Sequence, residues 1–188
     1  MTGSELQCTN ILIDYFFKEF VYRDLYVYTG KQKKELCDGL VEFQDAYVIF
    51  QIKEKCGSTA QDWLQKKVYK KAVSQIKDTI TMIRNEDTIE VESYTGERVI
   101  LENQKKIFPV IIFDSEDSDY KQVHTSAQNN NLRINVFSMI DFRMLLERIA
   151  IPYDIVSYLE MRTVFFESNF PDLFIDETSE GLTTLAKI

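Results

Sequence analysis

An α/β domain with a central mixed β-sheet flanked by helices is the fold this sequence predicts. Three features carry that expectation. Residues 35–54 hold two short apolar runs rich in β-branched and aromatic residues, parted by a polar break at Gln44-Asp45, which is the pattern of an antiparallel strand pair. Residues 59–84 repeat apolar side chains at helical spacing, namely Tyr69, Ala72, Val73, Ile76, Ile80 and Ile83. Residues 105–113 end in Val110-Ile-Ile-Phe113, continuous enough for a strand buried on both faces.

The remaining elements follow in order. Residues 4–22 predict a first helix with Leu6, Ile13, Phe16, Phe17 and Phe20 as its apolar positions. Thr2 with Glu5, or Ser4 with Gln7, fits a capping box at its start. Residues 22–30 lead into the first strands. Ser58 or Thr59 can cap the second helix. Residues 88–94 and 97–101, joined at Thr95-Gly96, read as a polar hairpin, either an insertion or an edge element. Pro109 lacks an N–H, so it must lie early in its strand or away from a ladder bond. Residues 114–119 form an acidic stretch without the central Gly and closing Glu of a calcium loop, and read as a solvated turn. Residues 132–137 make the last strand. Ser138 and Asp141 form a capping pair that opens a helix to about Ala150, Pro152 ends it, and a further helix is expected at 153–167. Residues 1–150 are thus expected to form one α/β domain. Residues 151–188 add a C-terminal helix and tail, either packed on that domain or leading to a further region.

Composition narrows the function classes. The chain of 188 residues is 45% hydrophobic and 13% aromatic, as a globular protein requires and a disordered one does not. No apolar run reaches membrane-spanning length and the first residues lack a signal-peptide pattern; the expectation is a soluble, cytoplasmic protein with no membrane partner. Cys8, Cys37 and Cys56 are odd in number without CxxC spacing, and read as reduced thiols. His124 is the single histidine, which argues against a zinc cluster or a histidine-based nucleophile apparatus and leaves His124 as a loop residue. The net charge of −8 disfavours strong nonspecific DNA binding. It is unevenly spread, with 7 basic and 9 acidic residues in 1–60, 6 and 2 in 61–84, and 9 and 19 in 85–188.

Chemistry concentrates in the hairpin. Side chains alternate along a strand, so Ile49, Gln51 and Lys53 share one face and Val48, Phe50 and Ile52 the other. Asp38 lies near the start of the first strand, across from the end of the second. The three polar groups Asp38, Gln51 and Lys53 are therefore expected to converge.

This layout resembles the PD-(D/E)xK, restriction-endonuclease-like nuclease superfamily, with Asp38 followed by Gln51-x-Lys53 across a hairpin. The resemblance covers about residues 1–140 as a fold and these few positions as a motif. Gln51 stands where most members carry a second acid, as it does in Mrr-like members. The resemblance implies a metal-dependent nuclease acting on DNA, with Mg²⁺ or Mn²⁺ as cofactor and a role in restriction or anti-phage defence. It also implies a homodimer, or a further domain or partner, to define the target. Asp38, Gln51 and the Ile52 carbonyl would be the oxygen ligands, and Lys53 would orient water or stabilise charge on the phosphate. Glu5 or Glu35 could add a second acid, and Glu5 serves a capping role equally well. The basic block Lys66, Lys67, Lys70, Lys71 and Lys77 reads either as a phosphate-tracking surface or as a solvated helix face. Gln75 stands at that helix's edge as a site-contacting candidate, and Trp63 reads as core. The alternative to an enzyme is a catalytically inactive nuclease-like module that binds a protein or nucleic acid.

Overall fold

The computed structural model describes residues 3–30, 32–55, 67–115, 127–129 and 132–167. Along the chain these form α1 (Gly3–Phe16), a 3₁₀ turn (Lys18–Phe20), β1 (Val21–Thr29), β2 (Gln32–Glu42), β3 (Ala46–Lys55), α2 (Lys67–Asn85), β4 (Thr88–Glu92) and β5 (Arg98–Glu102). Then come β6 (Lys106–Ser115), β7 (Ala127–Asn129), β8 (Leu132–Ser138), α3 (Met139–Arg148) and α4 (Asp154–Glu167). The strands lie in the order β5-β4-β1-β2-β3-β6-β8-β7. β6 runs parallel to both β3 and β8, and the other neighbours are antiparallel. This is an α/β fold with a mixed sheet between helices, as the sequence predicts.

Strand parity sorts the core into two layers. Tyr47 and Ile49 of β3 join Ile111 and Phe113 of β6 against Ala72, Val73, Ile76 and Ile83 of α2. Val48, Phe50 and Ile52 join Val110 and Ile112 against Leu12 and Phe16 of α1, Phe142 and Leu145 of α3, and Ile155 and Leu159 of α4. Val110, Ile111, Ile112 and Phe113 are all fully buried, each contributing on the order of 2 kcal/mol of apolar transfer. The helix at 154–167 thus packs on the body; the tail from 168 lies outside the described residues. Pro109 pairs with Ile49 one residue before pairing with β8 begins at Val110↔Asn135. A missing N–H on the β8 side therefore breaks no ladder bond.

The first helix differs from the sequence expectation in length and phase. It stops at Phe16, and its buried residues are Ser4, Cys8, Thr9, Leu12 and Phe16. Cys8, Leu12 and Phe16 form an i, i+4 stripe, whereas Leu6, Phe17 and Phe20 are exposed. Phe17 has φ +66°, a conformation no helical residue adopts, so the phenylalanines that extend the apparent stripe fall beyond the break. The 88–102 hairpin turns at Gly96, with φ +80°, and places β5 at the sheet edge. Near its end the Glu102 N–H donates to the Tyr47 hydroxyl at 2.9 Å.

The cap of α3 is as the sequence predicts. The Asp141 N–H donates to Ser138 Oγ at 3.0 Å, and the Ser138 hydroxyl donates back to Asp141 Oδ2 at 2.5 Å. Removing this fully buried hydroxyl takes one hydrogen bond from the Asp141 N–H and one from its carboxylate. Ser138→Ala is expected to lower unfolding free energy by about 1–2 kcal/mol and Ser138→Thr to restore most of it. Urea denaturation of the two variants checks this, and equal midpoints for Ser138→Ala and the parent would contradict it.

Candidate functional site

The β2–β3 ladder opens at one end. Paired residues run from Glu42↔Tyr47 to Gly39↔Phe50 and stop, while β3 continues alongside β6 to Lys55↔Ser115. In a continued ladder the Ile52 N–H and C=O would face Cys37, because alternate residues of an antiparallel pair exchange both bonds. Instead the Ile52 N–H donates to Asp38 Oδ2 at 2.5 Å. The Ile52 carbonyl points to the same side of the strand, into the opening.

A bulge produces the parting. On β1, Leu25 pairs with Cys37 and Tyr26 with Glu35, so Leu36 is the extra residue. A bulge re-aims nearby side chains and ends pairing. The hydroxyl of Thr79 on α2 meets the Leu36 carbonyl and lies 2.9 Å from the Gln75 carbonyl, tying the displaced strand to the helix above it. Beside the bulge, Asp24 has φ +46°, a left-handed conformation uncommon away from glycine.

Asp38, Gln51 and Lys53 converge in this opening. Lys53 Nζ donates to Gln51 Oε1 at 3.1 Å and lies 3.5 Å from Asp38 Oδ2. Asp38 is 4% exposed and Gln51 1%. Burial is the largest influence on Asp38 and raises its pKa; Lys53 and the Ile52 N–H pull the other way, and Glu35 and Glu5 push it up again. The outcome is a carboxyl raised to about 7. The thiols of Cys8 and Cys37 are pushed up by burial and, secondarily, by the charge of Asp38. Cys8 belongs to the α1 side of the sheet, within reach of the Asp38 charge. In the first turn of that helix the Ser4 hydroxyl donates to Asp114 Oδ2 at 2.8 Å, and Glu5 is close enough to act electrostatically on both Asp24 and Asp38.

The other sequence candidates are placed as follows. Glu35 is exposed at the β2 end of the opening, and Glu5 is half-buried. Lys70 and Lys71 are exposed on α2 and Lys77 is half-exposed. Gln75 is half-buried, and its Oε1 is buried with no hydrogen-bond partner among the described residues, so it faces inward rather than along the lysine-bearing surface. Lys66, Cys56, Trp63 and His124 lie outside the described residues, as does the side chain of Lys67. Sequence reasoning missed Asp24, Thr79 and the Ser4–Asp114 contact. A signal for Asp24 existed, since Arg23-Asp24 interrupts an otherwise apolar and aromatic run.

The donor set is made of oxygen atoms: the Asp38 carboxylate, the Gln51 amide and the Ile52 carbonyl. Such a set suits a hard divalent cation and offers nothing to a soft one. Among the described residues no three Asp, Glu, Cys or His side chains come together as ligands for one ion. Two open clefts, of about 570 and 630 Å³, lie elsewhere, beside Tyr15 and Arg143 and beside Phe17 and Tyr153. Neither is lined by Asp38, Gln51 or Lys53, so cleft size does not mark the chemistry here.

With this geometry in hand, comparison with known proteins adds no identification: no family model, curated protein or solved structure gives a significant match. Among the described residues no helix is long and apolar enough to cross a membrane.

The raised Asp38 carboxyl has a consequence for stability. Between about pH 4 and pH 7 the folded chain holds a proton on Asp38 that the unfolded chain has lost. Stability linked to this group is thus fully present below pH 4 and is lost as pH rises through 7. Asp38→Asn keeps an acceptor for the Ile52 N–H and removes the charge. In metal-free buffer the variant's melting temperature is expected to match the parent's near pH 4 and exceed it above pH 7, by on the order of a few kcal/mol in stability. A difference that does not change with pH would rule out this account.

Proposed function

We propose that the chain is a metal-dependent nuclease of the PD-(D/E)xK type that hydrolyses DNA phosphodiester bonds. One observation carries the reading: a buried carboxylate, an amide oxygen and a lysine ammonium converge where two strands part, on the face of the sheet covered by α2. Asp38 would supply the charged ligand oxygen, with Gln51 Oε1 and the Ile52 carbonyl as neutral ones. A bound Mg²⁺ or Mn²⁺ supplies positive charge to the scissile phosphate and lowers the pKa of an attacking water. The protein's own part is to hold and orient. The Ile52 N–H fixes Asp38 Oδ2, the oxygen that also lies 3.5 Å from Lys53 Nζ, and Oδ1 would be the oxygen offered to the ion. Lys53, held by the two strand-borne oxygens, presents a cation where phosphate oxygens gain charge in the transition state. The exposed Lys70 and Lys71 on α2 give the sheet's covering helix a cationic surface for neighbouring phosphates. Ionisation of Asp38 near neutrality makes cation binding rise with pH across that range.

A second reading, an inactive module that binds a partner, is favoured by one feature. Gln51 contributes no charge, and Lys53 already neutralises Asp38. The two readings part in a cleavage assay with fluorescent duplex and single-stranded DNA in Mn²⁺ and in EDTA. The nuclease reading expects metal-dependent cutting that falls at least about a hundredfold, of the order seen when a transition-state contact is removed, in both Asp38→Ala and Lys53→Ala. Cutting that persists in both variants would mark a contaminant. A parent that binds DNA without cutting it would establish the binding module instead.

A further inference from the structure

We infer that the outer edge of β5 is an interface between two copies of this chain, which pair antiparallel about Ile100 to make one continuous sheet. The pairing would hold whether or not the Asp38 opening takes a cation.

β5 stands at the end of the strand order, so one of its sides has no strand partner among the described residues. The bonds that flank its ladder with β4 fix which residues face that side. The Ser93 N–H donates to the Glu97 carbonyl at 2.8 Å and the Asn103 N–H to the Asp87 carbonyl at 3.1 Å. Bonded residues of an antiparallel pair recur at every second position. Val99 and Leu101 therefore bond inward to Val91 and Ile89 of β4, and Arg98, Ile100 and Glu102 turn their N–H and C=O groups outward. The Glu102 N–H agrees with this, since it leaves the ladder and donates to the Tyr47 hydroxyl.

The outward residues are self-complementary. Arg98 and Glu102 stand at equal distances on either side of Ile100 and carry opposite charges. A two-fold axis at Ile100 sets each Arg98 opposite the partner's Glu102 and the two Ile100 residues opposite each other. All these pairs join residues whose backbone groups face out, so side-chain and backbone register agree. The two Ile100 residues would exchange both N–H···O bonds, and each Arg98 N–H would reach the partner's Glu102 carbonyl. A patch that pairs with itself in this way is the isologous contact of a two-fold dimer, made here by strand addition at a sheet edge. Ile100 is 61% exposed at the centre of an edge, where a bare apolar side chain is a liability; the partner's Ile100 would cover it. Arg98 lies 3.0 Å from Glu90, with both side chains largely exposed, and its planar fork can keep that contact while meeting a second carboxylate. A strand of 5 residues makes a small contact, so association is weak and concentration-dependent.

The test is sedimentation of the full chain from micromolar to millimolar concentration, alongside Arg98→Glu, Glu102→Arg and an equimolar mixture of the two variants. Arg98→Glu makes both positions acidic and Glu102→Arg makes both basic, so each variant repels its own copy. Mixed, they restore opposite charges at both ends. Both variants keep a net negative charge, so recovery on mixing cannot come from overall attraction. The parent is expected to dimerise. Each variant alone should dimerise at least about tenfold more weakly, as the cross-strand pairs turn from attractive to repulsive, and the mixture should recover the parent's association. Melting temperatures close to the parent's confirm that both variants fold. A parent that stays monomeric up to millimolar concentration overturns the inference and leaves Arg98 and Glu102 as guards of a sheet edge. Self-association that survives in both variants places the contact elsewhere, and weakening that mixing does not repair removes the two-fold register; either result also overturns it.

Discussion

The site depends on one break in regular structure, the point beyond Gly39↔Phe50 where β2 leaves β3. A strand carrying on in register would give the Ile52 N–H and C=O to Cys37 and close the opening. Two local devices prevent that: the extra residue at Leu36 shifts the register against β1, and Thr79 receives the carbonyl that the bulge displaces. The backbone donor left behind must still be met, since an unpaired buried N–H costs about 1–3 kcal/mol. Asp38 meets it. One carboxylate therefore does two things at once, repairing the ladder with one oxygen and facing Lys53 and Gln51 across the gap.

β3 tolerates this one-sided loss because its other edge is secure. Ten consecutive residue pairs tie it in parallel to β6, and β6 is in turn paired to β8. Both faces of β6 from Val110 to Phe113 are sealed by helices. The displacement thus falls on β2 and β1, which explains why the irregular backbone of Asp24 and the bulge sit there and not on β3. Gln51 and Lys53 project from the rigid partner, and Asp38 from the adjustable one. A constellation held partly on a buried central strand loses little precision to loop motion.

Much of the fold was legible because its signals are local. The hairpin, the α2 stripe, the β6 run and the Ser138–Asp141 cap each depend on residues within a few positions of one another. The first helix was misread because three phenylalanines at Phe16, Phe17 and Phe20 mimic a continuing stripe, while the decisive event is the positive φ of Phe17, which composition does not disclose. The convergence of Asp38, Gln51 and Lys53 followed from strand alternation and a short turn. Asp24 did not, because its place beside Asp38 is set by the β1–β2 register and its direction by a left-handed backbone. Both are long-range or strained features that a residue pattern carries weakly. The same holds for Thr79, whose partner Leu36 is distant in sequence.

Gln51 can be understood as a settlement between cation affinity and metal-free stability. At 1% exposure, a glutamate there would be a second buried carboxylate next to Asp38, where burial already raises the carboxyl to about 7. Like charges in so dry a place cannot both ionise near neutrality, so the metal-free chain would hold a proton or lose stability as pH rises. An amide keeps the oxygen donor, accepts from Lys53 at 3.1 Å and adds no charge to desolvate. A neutral donor at this position lets the opening keep an oxygen for a cation while the ion-free chain has one buried carboxyl there, not two, to desolvate.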